Sequence, residues 1–278
     1  MEEPRQEPAP PLPATPADAV AAMRIRCPTR GNQRLQALID AANADTQLKA
    51  WWHVAQVNAH RLGMSDHSWV HVQIVVNIAL RLCRLLVRRG VEPAAVVDYG
   101  MDARDAEVVV AAAALLHCVG MAIHRTDHEA YSLFMAADKL DSLLGGIYDE
   151  PARSVLAAEA MHAIIAHRRR GDPLTLEAGI VRVADALDMA KGRSRVPFEA
   201  GRPNIHSLSA AAIDEVRIDP GREKAVRIEI EMNNSSGIFQ IDELLATKLR
   251  GSRLEDHVEV VARIDAEHEK RLVPMFRL

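Results

Sequence analysis

Residues Asp105–Gly120 read DAEVVVAAAALLHCVG. Val108 to Leu116 is an unbroken apolar run, and a helix of that composition is buried on almost every side. His117 and Cys118 follow it directly, and Val119-Gly120 come next. A helix that carries its last residues into a core and stops there aims the side chain at its own end inward. A histidine in that place is either a core residue satisfied by backbone or a ligand, so the rest of the chain has to be read with that choice in mind.

The neighbouring segments supply more of the same chemistry. The chain has 12 histidines, and they are not scattered. His67, His71, Val75, Ile78, Leu82 and Leu85 recur at steps of three and four, which predicts a helix carrying both histidines on its buried stripe. Arg81, Arg84 and Arg88 fall off that stripe, toward solvent. Glu129 to Leu144 predicts a helix stopped by Gly145-Gly146, with His124 and His128 four apart just before and at its start. Glu150-Pro151 opens another helix, which runs to His167 and brings His162 with it. After an Arg168–Pro173 loop, Leu174 to Lys191 predicts a helix with Leu176, Ile180, Val183, Ala184 and Leu187 inward and Asp185 and Asp188 three apart. Neutral imidazoles and carboxylates hold catalytic divalent metals, and α-bundles build such sites by projecting ligands inward from several helices.

The order and spacing of His71 (with Val75 and Ala79 after it), His117 and Val-Ala-Asp185-Ala-Leu-Asp188 resemble the HD metal-dependent phosphohydrolases over roughly residues 60 to 195. The resemblance implies a mainly α protein with an HD-type helical bundle. It implies that His71, His117 and Asp185 hold a divalent metal ion (Mn, Fe, Zn, Ni or Mg), and that His128, His162 and His167 lie where two-metal members place further ligands. His162 and His167 are five apart, about 140° around a helix, so they do not aim at one atom; His167 is preferred. The implied reaction is metal-dependent hydrolysis of a small phosphorylated compound, with nucleotides among the candidates. His67 is then the candidate proton donor. Lys191, Arg193 and Arg195 are candidates to clamp phosphate oxygens, the alternative being a surface turn.

One position departs from the family. Where Cys118 stands, the family has an aspartate that binds the metal. The cysteine is a thiolate ligand, or a neutral buried spectator beside a three-ligand site, or the mark of a site that no longer binds metal. In the last case the chain is a catalytically silent HD-fold protein that binds a ligand or partner.

Outside this region the pattern changes. Six of the 14 prolines fall within residues 1–16, which predicts a disordered tail over residues 1–22, followed by the helical domain over 23–208. After residue 208 the period becomes two: Val226, Ile228, Ile230 and Met232 alternate with charged residues. Val216–Ile218 precedes them across Pro220-Gly221 as a hairpin. A helix follows Asn233–Ser236 with Ile238, Ile241, Leu244, Leu245 and Leu249, and then strands at Val258–Ile264 and Arg271–Leu278. Residues 209–278 thus read as a small C-terminal α+β (ββαββ) domain, and its sheet edges lead us to expect a homo-oligomer.

The chain is 49% hydrophobic and only 4% aromatic, so aliphatic residues must build the core. A net charge of -4 excludes bulk attraction to nucleic acid or anionic lipid. Three widely spaced cysteines fit a reducing compartment rather than a disulfide framework. With no secretory h-region and no apolar run near the ~20 residues of a spanning helix, a soluble cytoplasmic protein is expected.

Overall fold

A computed structural model describes residues 15–190 and 205–264. Nine helices lead the described chain: α1 (Pro16–Ala21), α2 (Gln33–Ala44), α3 (Thr46–Arg61), α4 (Trp69–Arg88), α5 (Ala94–Val97), α6 (Ala103–Leu116), α7 (His128–Leu144), α8 (Ala152–Ala166) and α9 (Leu176–Leu187). A 3-10 turn over Val119–Ala122 joins α6 to α7. The short α1 occupies the end of the stretch read as a tail; it is capped by Thr15 and carries its proline in the first turn, where a missing N–H costs nothing.

The central helix is α6. Its apolar run from Val108 to Leu116 is wholly buried, and α2, α4, α8 and α9 pack around it. Asp102 and Asp105 form a reciprocal capping box at its start, which fixes where the helix begins. At its other end the indole N–H of fully buried Trp52 donates to the Leu115 carbonyl at 3.0 Å. Both ends of the helix that presents His117 are therefore held.

Two helices differ from expectation in their limits. α4 starts at Trp69 because the Ser68 hydroxyl accepts from Val70 N–H as its N-cap; His67 therefore precedes the helix instead of riding on its stripe. α9 starts after Thr175, whose hydroxyl accepts from Ala178 N–H, and ends at Leu187. Asp188 leaves the helical course and is free to turn inward. Arg84 also differs from the solvent-facing expectation: it is half-buried and forks onto the Glu107 carboxylate with two bonds of 2.9 Å.

Beyond α10 (Ile205–Ala211) lies a three-stranded sheet in the order β1 (Ile213–Pro220), β2 (Val226–Met232), β3 (Val258–Ile264). β1 and β2 are antiparallel, with Ile218 opposite Ile228, as the hairpin reading requires. β3 pairs parallel to β2. That direction needs a crossover, which the intervening segment supplies in three pieces rather than one helix: a 3-10 turn Ser235–Gly237 capped by Asn234, a π-helical stretch Gln240–Ala246, and a final turn Thr247–Leu249. The expected strand at Arg271–Leu278 lies outside the described residues. Ile218, Val226, Ile228 and Ile230 join the same apolar core as the helices, with the sheet lying against α4.

Trp69–Arg88 and Ala103–Ala122 are long and apolar enough to cross a membrane by length and composition, contrary to the sequence-based expectation that no run approaches that length. The second is spent on the core, with 89% of its window buried inside the protein, and the first is 56% buried.

Candidate metal centre

The geometry around His117 comes from a simple local device. His117 is the C-cap of α6, and its Nδ1–H donates back to the Ala114 carbonyl three residues earlier at 2.8 Å. His167 repeats this at the C-cap of α8, donating from Nδ1 to the Ile164 carbonyl. A bond from Nδ1 fixes the tautomer and leaves Nε2 as the coordinating atom. His71, in the first turn of α4, reaches the same state differently: its Nδ1 lies 2.6 Å from Asp188 Oδ2, the carboxylate that the early end of α9 turned inward.

Three acceptor atoms then converge. His71 Nε2 and His117 Nε2 are 3.1 Å apart. Asp185 Oδ1 lies 3.3 Å from the first and 3.8 Å from the second. Cys118, 1% exposed, joins His71 and His117 in a grouping whose ligand atoms all lie within 4.8 Å of one another. A second grouping of the same tightness is His128, Glu129 and His167.

The two groupings share one wall. Ring centroids run His67–His71 5.4 Å, His71–His117 5.1 Å, His117–His167 5.0 Å, His167–His128 5.9 Å and His128–His67 6.2 Å, a closed circuit of five imidazoles. It borders a cavity of about 420 Å³ that is also lined by Arg125, Arg169, Asp185, Gln240 and Lys248. His67 enters from the loop before α4 with Nδ1 2.8 Å from the Ser65 carbonyl. Ser132 of α7 clasps the turn after His117: its hydroxyl accepts from Gly120 N–H at 2.9 Å and donates to the His117 carbonyl at 3.0 Å. Gly120 is required there, because a Cβ would stand 2.0 Å from the His128 carbonyl oxygen.

Burial sets the charge state. It holds His117 well below its ordinary value, and the nearby His167 and His71 add to that. Burial and the positive charge of Lys248 lower His167 to about 4. Burial raises the Glu129 carboxyl, but its bond to His128 and that residue's charge outweigh this and bring it down to about 2. Near neutral pH His117 and His167 therefore offer neutral imidazole nitrogens and Glu129 an ionised carboxylate, the forms that bind metal.

Not every candidate reaches this cavity. His162 is only half-buried, and its Nε2 accepts from Leu174 N–H at 2.9 Å; it braces the loop before α9 and does not line the cavity. His124 is exposed, accepting from Thr126 N–H. Lys191, Arg193 and Arg195 lie outside the described residues. Glu129 was missed, although its place beside His128 in the first turn of α7 was a legible signal. Lys248 had no such signal, since nothing around it in the sequence points to a site so far upstream.

The family model for the HD domain matches residues 66–190. This chain belongs to the HD-domain superfamily. Its HD domain begins just before His67 and closes just after Asp188, so every imidazole of the circuit falls inside the match, as do Asp185 and Asp188. Gln240 and Lys248 come from beyond it. The chain is 39% identical over 207 residues to the uncharacterized protein MJ1020 of Methanocaldococcus jannaschii, an alignment covering 74% of this chain and 80% of that protein. No solved structure matches the chain. HD domains are a metal-dependent phosphohydrolase family, and the donor set fits such an ion: two imidazole lone pairs facing each other at 3.1 Å beside a carboxylate call for a cation or a shared proton between them.

Proposed function

We propose that this protein is a metal-dependent phosphohydrolase acting on a small phosphorylated compound, with nucleotides as the first class to examine. The convergence of His71 Nε2, His117 Nε2 and Asp185 Oδ1 on one point, each imidazole with its Nδ1 already engaged, carries the reading. Those three hold the primary ion in this proposal, with Cys118 beside them. His128, Glu129 and His167 form the place for a second. An ion bound there supplies Lewis acidity, polarising a phosphoryl oxygen and acidifying water.

The chain's own residues do the rest. Asp188 holds His71 in the ligating tautomer and makes it more basic. The cavity wall excludes bulk solvent around the phosphoryl group. Water oxygen bonds to phosphorus as the bond to the leaving oxygen breaks; His67 delivers the proton the leaving oxygen needs, and the proton shed by the water passes to solvent, from which His67 is recharged. With Nδ1–H on the Ser65 carbonyl, the proton that moves is on His67 Nε2.

The test is the metal content of the purified protein by elemental mass spectrometry, followed by a phosphatase screen with the ion found. His117→Ala should lose both metal and turnover; turnover that survives would sink the proposal.

A second reading rests on Cys118. It is buried at the point where a carboxylate would carry charge, so the chain is alternatively a silent HD-fold protein that binds a ligand or partner. Cys118→Asp separates the two. A large gain in metal affinity over a wild type that binds none favours the silent reading, whereas an already active wild type little altered by the change excludes it.

A further inference from the structure

Lys248 sets an ammonium against the Asp185 carboxylate, and the HD match does not supply it. Its ammonium reaches Asp185 Oδ2, on the opposite side of the carboxylate from the oxygen facing His71 and His117. Both side chains are only 13% exposed. Holding an ammonium in such a place costs several kcal/mol of desolvation, and the Asp185 charge that offsets this is shared with the imidazole pair.

The backbone of Lys248 is anchored separately from its side chain. Arg182 of α9 is 3% exposed and donates to six carbonyls. Its Nε bonds the Lys248 carbonyl at 2.8 Å, and its guanidinium nitrogens bond Thr247, Ala166, Arg168, Arg169 and Gly171 at 2.6–3.3 Å. One guanidinium thus ties the turn carrying Lys248 to the loop directly after His167. Alongside, Gly179 of α9 lies so close to this segment that a Cβ would stand 1.8 Å from the Ser252 carbonyl oxygen. The position of Lys248 at the cavity is built by packing as well as by its ion pair.

We propose that Lys248 binds the phosphoryl oxygens of the substrate, so that the C-terminal segment is a working part of the active site rather than an appendage. The proposal rests on the phosphohydrolase reading above. An ion shared by Asp185 and the imidazoles draws on the same carboxylate charge, which leaves the Lys248 ammonium to a second anion at the same opening. A lysine meets phosphate as a mobile point charge, and Arg125 and Arg169 line the same cavity.

The experiment uses the full chain loaded with Mn²⁺ and inorganic phosphate as the probe, by isothermal titration calorimetry, with metal content and melting temperature recorded for each variant. Lys248→Met should weaken phosphate binding at least tenfold with metal content unchanged, and Lys248→Arg should stay within about threefold of wild type. Wild-type phosphate affinity in Lys248→Met overturns the proposal and leaves the hydrolase reading standing. Metal and phosphate lost together in Lys248→Met, but kept in Lys248→Arg, also overturns it, by making Lys248 a support for Asp185 alone. A wild type that takes up no metal removes the hydrolase reading; phosphate binding by that metal-free protein, absent in Lys248→Met, would still uphold Lys248 as the phosphate residue.

Discussion

The chemistry of this site is decided by hydrogen bonds made on the side of each imidazole that faces away from the cavity. His117 and His167 spend Nδ1 on carbonyls three residues back, while His71 spends it on Asp188. Asp188→Asn keeps an acceptor but removes the charge, and we expect metal affinity to fall about 10–100-fold, measured by competition with a chromophoric chelator; unchanged affinity would mean that Asp188 does not tune His71. Acid should act on the same histidines. His167 falls from its ordinary 6.5 to about 4 in the folded protein, so between those values the unfolded chain binds a proton that the folded one does not. Stability of the metal-free protein should then be level above about pH 6.5 and decline toward pH 4, with His117 contributing in the same direction; a urea midpoint that stays flat across that window would contradict the burial argument. His71, His117 and Asp185 were legible in the sequence through an order and spacing that resemble the HD pattern, and the cost of burying an imidazole or carboxylate without a partner argues the same way. Which residue would turn an acceptor toward His71 was less so: Asp188 does it only because α9 stops at Leu187.

At the level of elements, the long periodic segments were readable and their ends were not. The stripe of α4 was correct in phase, yet with Ser68 as its N-cap the helix begins at Trp69, two residues beyond His67. Nothing in apolar spacing distinguishes a first helical residue from one that just precedes the N-cap. The contact between α7 and the turn after α6 was also invisible, since it depends on the absence of a side chain at Gly120. Gly120→Ala would press a methyl against backbone atoms of His128 and Ser132. We expect it to cost about 1–3 kcal/mol and to loosen the His128–Glu129 grouping, which a thermal melt combined with metal stoichiometry would reveal. Arg182 is the more severe case. Arg182→Met leaves buried carbonyls of two segments without a donor, and the expected loss is at least ~3 kcal/mol by chemical denaturation. Lysine should not restore it, because one ammonium cannot fork toward both segments.

Over the whole molecule, the α-then-β division was legible from the change of period after residue 208, and the hairpin from Pro220-Gly221. The parallel entry of β3 was not, because alternation carries no direction. Nor was the return of the 247–252 segment to α9, a contact between residues far apart in the chain that rests on Gly179 and Arg182. Gly179→Ala should push that segment away; we expect weaker phosphate binding with much of the metal retained, and equal loss of both would tie the segment to the metal instead. Self-association remains our expectation from the sheet edges, and light scattering at two concentrations checks it. The anchoring of Lys248 by Arg182 also has a consequence in time. During synthesis, every imidazole of the circuit and both aspartates emerge before residue 248 does. Each newborn chain therefore passes through an interval in which its ligands exist and the far wall of the cavity does not. The candidate ligand set is therefore complete in the chain before the residue that shares the Asp185 carboxylate has been made.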